Sequence, residues 1–211
     1  HFPSTLDEAE RARKRFAFED IFLLQLMNAK IRASIAKEKA PRMQISDEVL
    51  HGILTALPFA LTTSQKKSLN EMLSDFSSGT PMNRFLQGDV GSGKTIVAAL
   101  AAIVAAKNGY QAVFMAPTEV LARQHFETFR TLFASFLEKE NIRINILTAG
   151  VKGMVKKDLI RSIKENKTHI IIGTHALIEK EVVFPSLGFI VIDEQHRFGV
   201  EQRAALTSHT S

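Results

Sequence analysis

The chain has 211 residues, of which 45% are hydrophobic and 23% are charged, a balance typical of a soluble globular fold with one sizeable core. It contains no cysteine, which excludes disulfides and thiolate metal sites. The net charge of +5 permits a polyanionic partner without requiring one. The longest apolar run, residues 96–106, is too short to span a bilayer, and no signal-peptide pattern opens the chain. We therefore predict a cytoplasmic protein without a membrane partner.

The first 58 residues contain no strand-like apolar run and are predicted to be helical. Apolar residues recur there at helical spacing among charged ones: Leu24, Met27, Ile31 and Ile35. This pattern predicts an amphipathic helix that packs on a partner, either the following domain or one that precedes this segment. The chain opens with HFP and no initiator methionine, as expected for a piece of a longer protein. We interpret residues 1–58 as a helical linker arm.

From residue 59 onward, helical patterns alternate with short apolar runs. The predicted strands are residues 84–87, 112–116, 144–148, 169–173 and 189–192. The predicted helices are residues 61–76, 94–107, 119–137 and about 151–164. The strands read as continuous apolar runs, which indicates burial on both faces of a parallel sheet. We predict an α/β domain over residues 59–211, with helices flanking a mainly parallel sheet and the helical arm in front of it.

A glycine-rich stretch, GDVGSGKT, follows the first of these predicted strands. It matches the phosphate-loop pattern G-x-x-x-x-G-K-[ST] without departure and leads into an apolar helix, the context that such a loop requires. Its backbone N–H groups and the helix start are suited to phosphates. Lys94 is then expected to reach the β- and γ-phosphates, and the Thr95 hydroxyl to hold magnesium. We predict nucleotide contacts from the whole loop: Gly88, Asp89, Val90, Gly91, Ser92, Gly93, Lys94 and Thr95.

Two acidic residues, Asp193 and Glu194, directly follow the last predicted strand. A phosphate-loop ATPase needs a carboxylate at the end of a neighbouring strand to complete the magnesium shell. The carboxyl ends of parallel strands lie at one edge of the sheet, where the loop also lies. Both residues would also suit the first turn of a helix, but the intact loop favours catalysis. We predict that Asp193 contacts magnesium and that Glu194 polarises the attacking water, with ATP and Mg2+ as cofactors.

The motifs that surround these residues resemble a known family. Residues 193–196, DEQH, form a DExH-type box and resemble superfamily 2 helicases, and the longer IVIDEQHRFGVEQR resembles the RecG family of bacterial branch-migration helicases. The agreeing segments span nearly the whole chain: the opening HFPSTLDEAERARKRFAFEDIFLLQL, ALPFALTTSQ, QGDVGSGKT, APTEVLARQHF and GTHALIE. The motor of the transcription-repair coupling translocase is the alternative. That family usually has a glutamate in place of Gln195, so RecG is favoured.

The resemblance implies that residues 59–211 form the first RecA-like motor domain of an ATP-dependent DNA helicase, with Lys94, Asp193 and Glu194 in catalytic roles. It also implies three partners: forked or branched DNA, a second RecA-like domain and a DNA-gripping wedge domain, the last two being further parts of the same protein. Half of a composite ATP site would then lie outside this segment. The segment alone is expected to bind nucleotide weakly and to hydrolyse it poorly, in the nucleoid region of a bacterial cytoplasm.

Gln65 has two predicted roles. By resemblance, it falls where superfamily 2 proteins place a glutamine that recognises adenine. From the residues alone, Thr62 and Gln65 form a capping box at the start of a helix, with the glutamine side chain reaching back to Thr62. Both roles can hold together.

The resemblance also implies DNA contacts from residues that follow buried strands, namely Thr118, Thr174 and His175. Hydroxyls and N–H groups in such positions suit phosphates and hold DNA without reading its sequence. The structural alternatives are an N-cap for Thr118 and a polar turn residue for His175. Residues 148–150, TAG, depart from the family's threonine directly followed by glycine, which leaves a backbone contact with DNA open there.

Two other classes of function remain open from the sequence. The segment could be an interaction module without turnover, whose Phe-rich arm docks on a partner, or a phosphate-loop enzyme such as a kinase. No small-substrate site is recognisable, which argues against the kinase. A basic stripe in residues 152–167 is compatible with DNA but also with the solvated face of a helix.

Overall fold

The computed structural model describes residues 3–35 and 37–194. In these ranges the helices are α1 (Leu6–Ile35), α2 (Asp47–Thr55), α3 (Thr63–Ser78), α4 (Lys94–Lys107), α5 (Glu119–Lys139) and α6 (Gly153–Lys164). The strands are β1 (Gln111–Met115), β2 (Ile144–Leu147), β3 (Ile170–Gly173) and β4 (Leu187–Ile192), and a short 3-10 helix follows β3 at His175–Ile178. Among these helices, none combines the length and the apolarity that crossing a bilayer requires.

The strands form one sheet in the order β2-β3-β1-β4, and every described pairing is parallel. Strand β1 lies inside the sheet, with its Val113 opposite Ile171 of β3 and Ile190 of β4. All residues of β1 and β3 are buried, because helices cover both faces of the sheet. The prediction of an α/β domain with a mainly parallel sheet and flanking helices is confirmed.

The two faces of the sheet carry separate hydrophobic cores. On one face, Phe114 of β1 packs with helix α4 and with the buried side of α5. Residues 97–106 of α4 are all buried, which explains why this helix is apolar on every side. On the other face, Val113 and Met115 pack with Ile163 of α6. Helix α4, which follows the phosphate loop, is therefore held firmly between the sheet and its neighbouring helices.

The prediction of a strand at residues 84–87 is wrong. This stretch forms no strand, and Phe85 is 74% exposed. Arg84 instead binds helix α3, where its guanidinium pairs with Glu71 at 2.7 Å and with Asp75. Two ion pairs hold the stretch beside α3, away from the sheet. The other four predicted strands are confirmed, each within two residues of its predicted ends.

Helix α1 lies apart from both cores. None of its described side chains is buried, and the predicted apolar stripe is in contact with solvent: Leu24, Met27 and Ile31 are 61%, 65% and 54% exposed. The helix itself is confirmed as predicted. Its apolar stripe packs on nothing in the described part of the chain.

The segment after α1 is attached to the α/β domain. Met43 N donates to Phe76 O of α3 at 3.0 Å. The side chain of Asn108 pairs with both backbone groups of Gln44 at 2.9 Å, which fastens this segment to the end of α4. Helix α2 then buries Ile53 in the core that it shares with α4 and α5. The second part of the predicted arm thus packs directly on the domain that follows it.

Candidate active site

The glycine-rich loop of residues 88–93 makes a tight turn into helix α4. Gly91 and Gly93 have φ angles of +80° and +78°, left-handed values that glycine adopts without the penalty of a Cβ. A Cβ on Gly93 would also lie 2.3 Å from Gln65 Nε2 and would displace the Gln65 amide from the loop. The loop conformation therefore depends on Gly93, which the motif requires, and on Gly91, which stands at a variable position of the motif.

Lys94, the first residue of α4, folds back over this loop. Its Nζ donates to Gly88 O at 2.6 Å and to Asp89 O at 2.8 Å. The N-cap residue Gly93 has no side chain to accept from the first turn of α4, and a helix start without a side-chain cap is suited to an anion. Thr95 follows in the same turn and is partly buried. The lysine, the helix start and the loop thus face one another, as a phosphate site requires.

Gln65 joins helix α3 to the loop. Its Oε1 accepts from Thr62 N at 2.8 Å, and Thr62 Oγ1 accepts from Gln65 N at 3.2 Å, which confirms the predicted capping box. Its Nε2 donates to Ser92 O of the loop at 2.8 Å. The structure therefore brings Gln65 to the phosphate loop, a contact that the sequence did not predict. Adenine recognition by Gln65 stays a prediction.

Replacing Gln65 with glutamate separates these two contacts. A carboxylate still accepts from Thr62 N, so the cap survives, but it cannot donate to Ser92 O. We expect a nearly unchanged melting temperature and nucleotide binding weakened by about tenfold, since about one hydrogen bond of the loop is lost. Calorimetric titration with ADP measures this effect.

Thr62→Ala is the matched control, because it removes the cap at a cost of about 1 kcal/mol of stability and leaves the bond to Ser92 intact. Equal nucleotide affinities in both variants would refute a role of Gln65 in the loop.

Asp193 follows β4 and is held in place by both its backbone and its side chain. Its N–H donates to Met115 O of β1 at 2.9 Å. Its Oδ1 accepts from Glu194 N at 3.0 Å, and its Oδ2 lies 2.8 Å from Nε2 of His125 in α5. The hydrogen bond with His125 is the largest cause that lowers the pKa of Asp193, and the positive charge of Lys94 lowers it further. Asp193 is therefore ionised at neutral pH, the form in which a carboxylate binds a divalent cation.

Glu194 has a φ angle of +51°, an uncommon left-handed value for a residue with a side chain. Such backbone conformations concentrate at functional sites, where the surrounding structure maintains them. Gln195 and His196, the last two residues of the DExH-type box, lie outside the described residues.

The residues predicted to contact DNA lie at the same edge of the sheet. Ala116 N donates to Gly173 O at 2.8 Å, so the ends of β1 and β3 are adjacent. Thr118 caps α5, with its Oγ1 accepting from Leu121 N at 3.3 Å. Thr174 is 3% exposed and its hydroxyl has no hydrogen-bond partner, whereas His175 is exposed. The structure thus brings these residues to the carboxyl edge that also carries Asp193.

The loop of residues 148–150 adjoins the first turn of α5. A Cβ on Gly150 would lie 2.7 Å from Glu119 Oε1, so the Glu119 carboxylate rests against this glycine. A hydrogen bond from Arg123 is the main reason that the pKa of Glu119 is lowered, and the Gly150 N–H adds to this effect. Residues 148–150, which depart from the family pattern, therefore form a loop that contacts α5.

His125 is a site residue that the sequence did not predict. It is 6% exposed, and its ring centroid lies 4.8 Å from that of Phe114 in β1. It lies on the buried face of α5, where its neighbours are apolar: Ala122, Phe129 and Phe133. A histidine at such a position, within an otherwise apolar helical stripe, is the sequence signal that could have identified it.

Comparisons with known proteins agree with this geometry. The family described as DEAD/DEAH box helicase matches residues 62–210. The chain is 44% identical over 193 residues to the ATP-dependent DNA helicase RecG of Aquifex aeolicus, a match that covers 92% of this chain and 24% of the relative. It is also 44% identical over 207 residues to RecG of Bacillus subtilis, covering 98% of this chain and 30% of that relative. The solved structure of RecG bound to a three-way DNA junction has a TM-score of 0.83 at 41% identity, covering 94% of this chain and 27% of that one.

The similarity to RecG inferred from the motifs is confirmed, and these matches do not favour the transcription-repair coupling translocase. The structural match also confirms the predicted RecA-like fold. The chain spans only about a quarter to a third of the length of these curated relatives. The family match covers most of the described α/β domain, including the phosphate loop and Asp193, and it implies the use of ATP. The chain therefore belongs to the DEAD/DEAH box helicase family.

Proposed function

We propose that this chain is the ATP-binding motor domain of a RecG-type DNA helicase that remodels forked and branched DNA by ATP-driven branch migration. The observation that carries this proposal is the meeting of two distant motifs at one sheet edge. Lys94 lies over the phosphate loop, and its charge contributes to the low pKa of Asp193. Both curated relatives are named ATP-dependent DNA helicases, and one solved relative holds a three-way DNA junction, which supports forked DNA as the substrate of the whole protein.

In this proposal the loop, Lys94 and the start of α4 bind the nucleotide phosphates, and Gln65 contacts adenine. The Thr95 hydroxyl and the Asp193 carboxylate hold magnesium, and Glu194 orients the attacking water. The donors fit this cation, since both are hard oxygen ligands and the ionised Asp193 side chain remains 32% exposed. When bound, magnesium neutralises charge on the phosphates. The protein itself catalyses by positioning the reactants and stabilising charge.

We further propose that DNA phosphates contact the neighbouring part of the same edge, through Thr118, Thr174 and His175. Thr118 and His175 are exposed at this edge, which supports this role. Contacts of this kind position DNA without reading its sequence. They would place the protein with the chromosome, and the two relatives described above are bacterial.

The proposed organisation is an arm over residues 1–58 and a motor domain over 59–211. The boundary at residue 58 stays a prediction. The burial of Ile53 in the common core supports an arm of two parts, an exposed helix α1 and a second part that is docked on the motor.

ATP turnover with and without synthetic forked DNA tests this function. We compare the present chain with a version extended on both sides to the length of the curated relatives. The extended protein is expected to hydrolyse ATP at least about tenfold faster with a fork, because a second motor domain would supply transition-state contacts such as an arginine finger. The present chain is expected to turn over slowly and without response. If neither responds while both bind Mg-ATP, the nucleotide site stands but the DNA function fails.

A further inference from the structure

The buried histidine of α5 points to a role at the edge of the active site. We propose that His125 is a positioning residue: its Nε2–H donates to Asp193 Oδ2 and orients this carboxylate for the magnesium ion of the bound nucleotide. The proposal deepens the proposed function and rests on it, because it assumes that Asp193 serves the magnesium site. His125 itself touches neither the nucleotide nor the metal in this scheme.

The direction of the hydrogen bond follows from the charge of Asp193. A carboxyl group with the ordinary aspartate pKa of about 3.9 is ionised at neutral pH. An ionised carboxylate can only accept hydrogen bonds, and Nε2 must therefore carry the hydrogen. Glu194 N donates to the other oxygen, Oδ1. Two donors, His125 on α5 and the backbone N–H of the adjacent residue Glu194, thus hold the Asp193 carboxylate in one orientation.

Packing keeps the imidazole ring of His125 in place. Its centroid lies 4.8 Å from the Phe114 ring, and Phe129, one turn later on α5, meets Phe114 edge to face at 6.0 Å. At 6% exposure, an imidazole costs more to bury than an aliphatic side chain unless its polar atoms are hydrogen-bonded. Packing alone would favour an apolar residue here. The bond to Asp193 is what a histidine adds at this position.

The position of His125 on α5 gives the contact a further consequence. The helix begins after Thr118, seven residues before His125, which corresponds to about 10 Å along the helix axis. Thr118 is one of the residues proposed to contact DNA phosphates. A displacement of α5 on DNA binding would move the donor that holds Asp193. Helix α5 is thus a direct physical link between the DNA edge and the magnesium-binding carboxylate.

Two variants of His125 and one control test the proposal. His125→Leu removes the donor at similar bulk, and His125→Gln keeps an N–H donor. Phe129→Leu loosens the same face of α5 without touching Asp193. For each variant of this chain we measure ADP affinity by calorimetry, once with magnesium and once with EDTA, and record the melting temperature. The ratio of the two affinities is the magnesium-dependent increment, which general loosening of the helix does not change.

We expect His125→Leu to lower this increment by about 10- to 100-fold, the usual effect of losing a residue that orients a metal ligand, with metal-free ADP affinity unchanged. His125→Gln is expected to recover most of it. Phe129→Leu is expected to lower the melting temperature and to keep the increment. These three results together would support the positioning role.

Other outcomes overturn the proposal. A wild-type increment in His125→Leu, or equal losses in the leucine and glutamine variants, would show that the hydrogen bond does not serve the metal. A wild-type chain that binds ADP equally with and without magnesium would do the same, while the nucleotide site would stand. A wild-type chain that binds no ADP under either condition would refute the proposed function together with this proposal.

Discussion

Replacing Lys94 with alanine is expected to abolish Mg-ATP binding, with a loss in affinity of at least about 100-fold and an unchanged fold. The ammonium group would make charge-assisted hydrogen bonds to the phosphates, and losing two of these at about 1.5–3 kcal/mol each is sufficient for such an effect. Without nucleotide, the same group donates hydrogen bonds to the exposed carbonyls of Gly88 and Asp89. Stability should therefore change little. Calorimetric titration with Mg-ATP and a thermal melt measure the two effects.

Lys107→Ala is the matched control for this experiment. Lys107 ends the same helix and pairs with Glu140, far from the loop. Its loss removes a partly exposed ion pair, which contributes about 1 kcal/mol, and nucleotide affinity should stay at the wild-type value. Near-native Mg-ATP affinity in Lys94→Ala would refute the assignment of the loop.

Replacing Gln111 with leucine is expected to lower the free energy of unfolding by roughly 3 kcal/mol, since it takes the hydrogen-bond partner from two polar groups inside the fold, Thr168 O and Ser186 N. Gln111 is fully buried. Its Nε2 donates to Ile163 O at 2.9 Å and Thr168 O at 3.1 Å, and its Oε1 accepts from Ser186 N at 3.3 Å. Leucine has similar bulk but offers no partner to Thr168 O or Ser186 N, whereas Ile163 O still accepts from Asn166 N at 3.0 Å. A thermal melt should show a fall of about 10 °C for a chain of this size.

Gln124→Leu makes the same chemical change on the exposed side of α5. It should alter the free energy of unfolding by no more than about 0.5 kcal/mol. If both leucine variants melt at the same temperature, the amide of Gln111 contributes nothing to the fold, and the loops that it joins must be held by the hydrophobic core alone.

The phosphate loop and its helix could be predicted from the sequence because their determinants are local. Gly91, Gly93 and Lys94 form the loop and the helix start within a few residues of one another, and the backbone conformations that they allow follow from their own chemistry. Helix α4 could be predicted at its observed ends, Lys94–Lys107, because its uninterrupted apolar run requires burial. The position of Asp193 near the phosphate loop could also be predicted, because the carboxyl ends of parallel strands lie at one edge of the sheet, where the loop also lies.

Residues 84–87 show where local patterns fail. Their apolar residues resemble a strand, but Arg84 forms ion pairs with Glu71 and Asp75 on α3, and this contact keeps the stretch out of the sheet. The pairing joins charges 9 and 13 residues apart. Only the packing of α3 beside this stretch decides that they meet.

The sequence by itself determined most of the helices and strands, the parallel sheet and the chemistry of the loop, because each depends on residues that are neighbours in the chain or on periodicity. The tertiary structure decided which side chains hold those parts together. His125 meets Asp193 across 68 residues, and Gln65 meets Ser92 across 27. Hydrogen bonds act over about 3 Å, so such partners are set by how helices pack on the sheet and not by local preference.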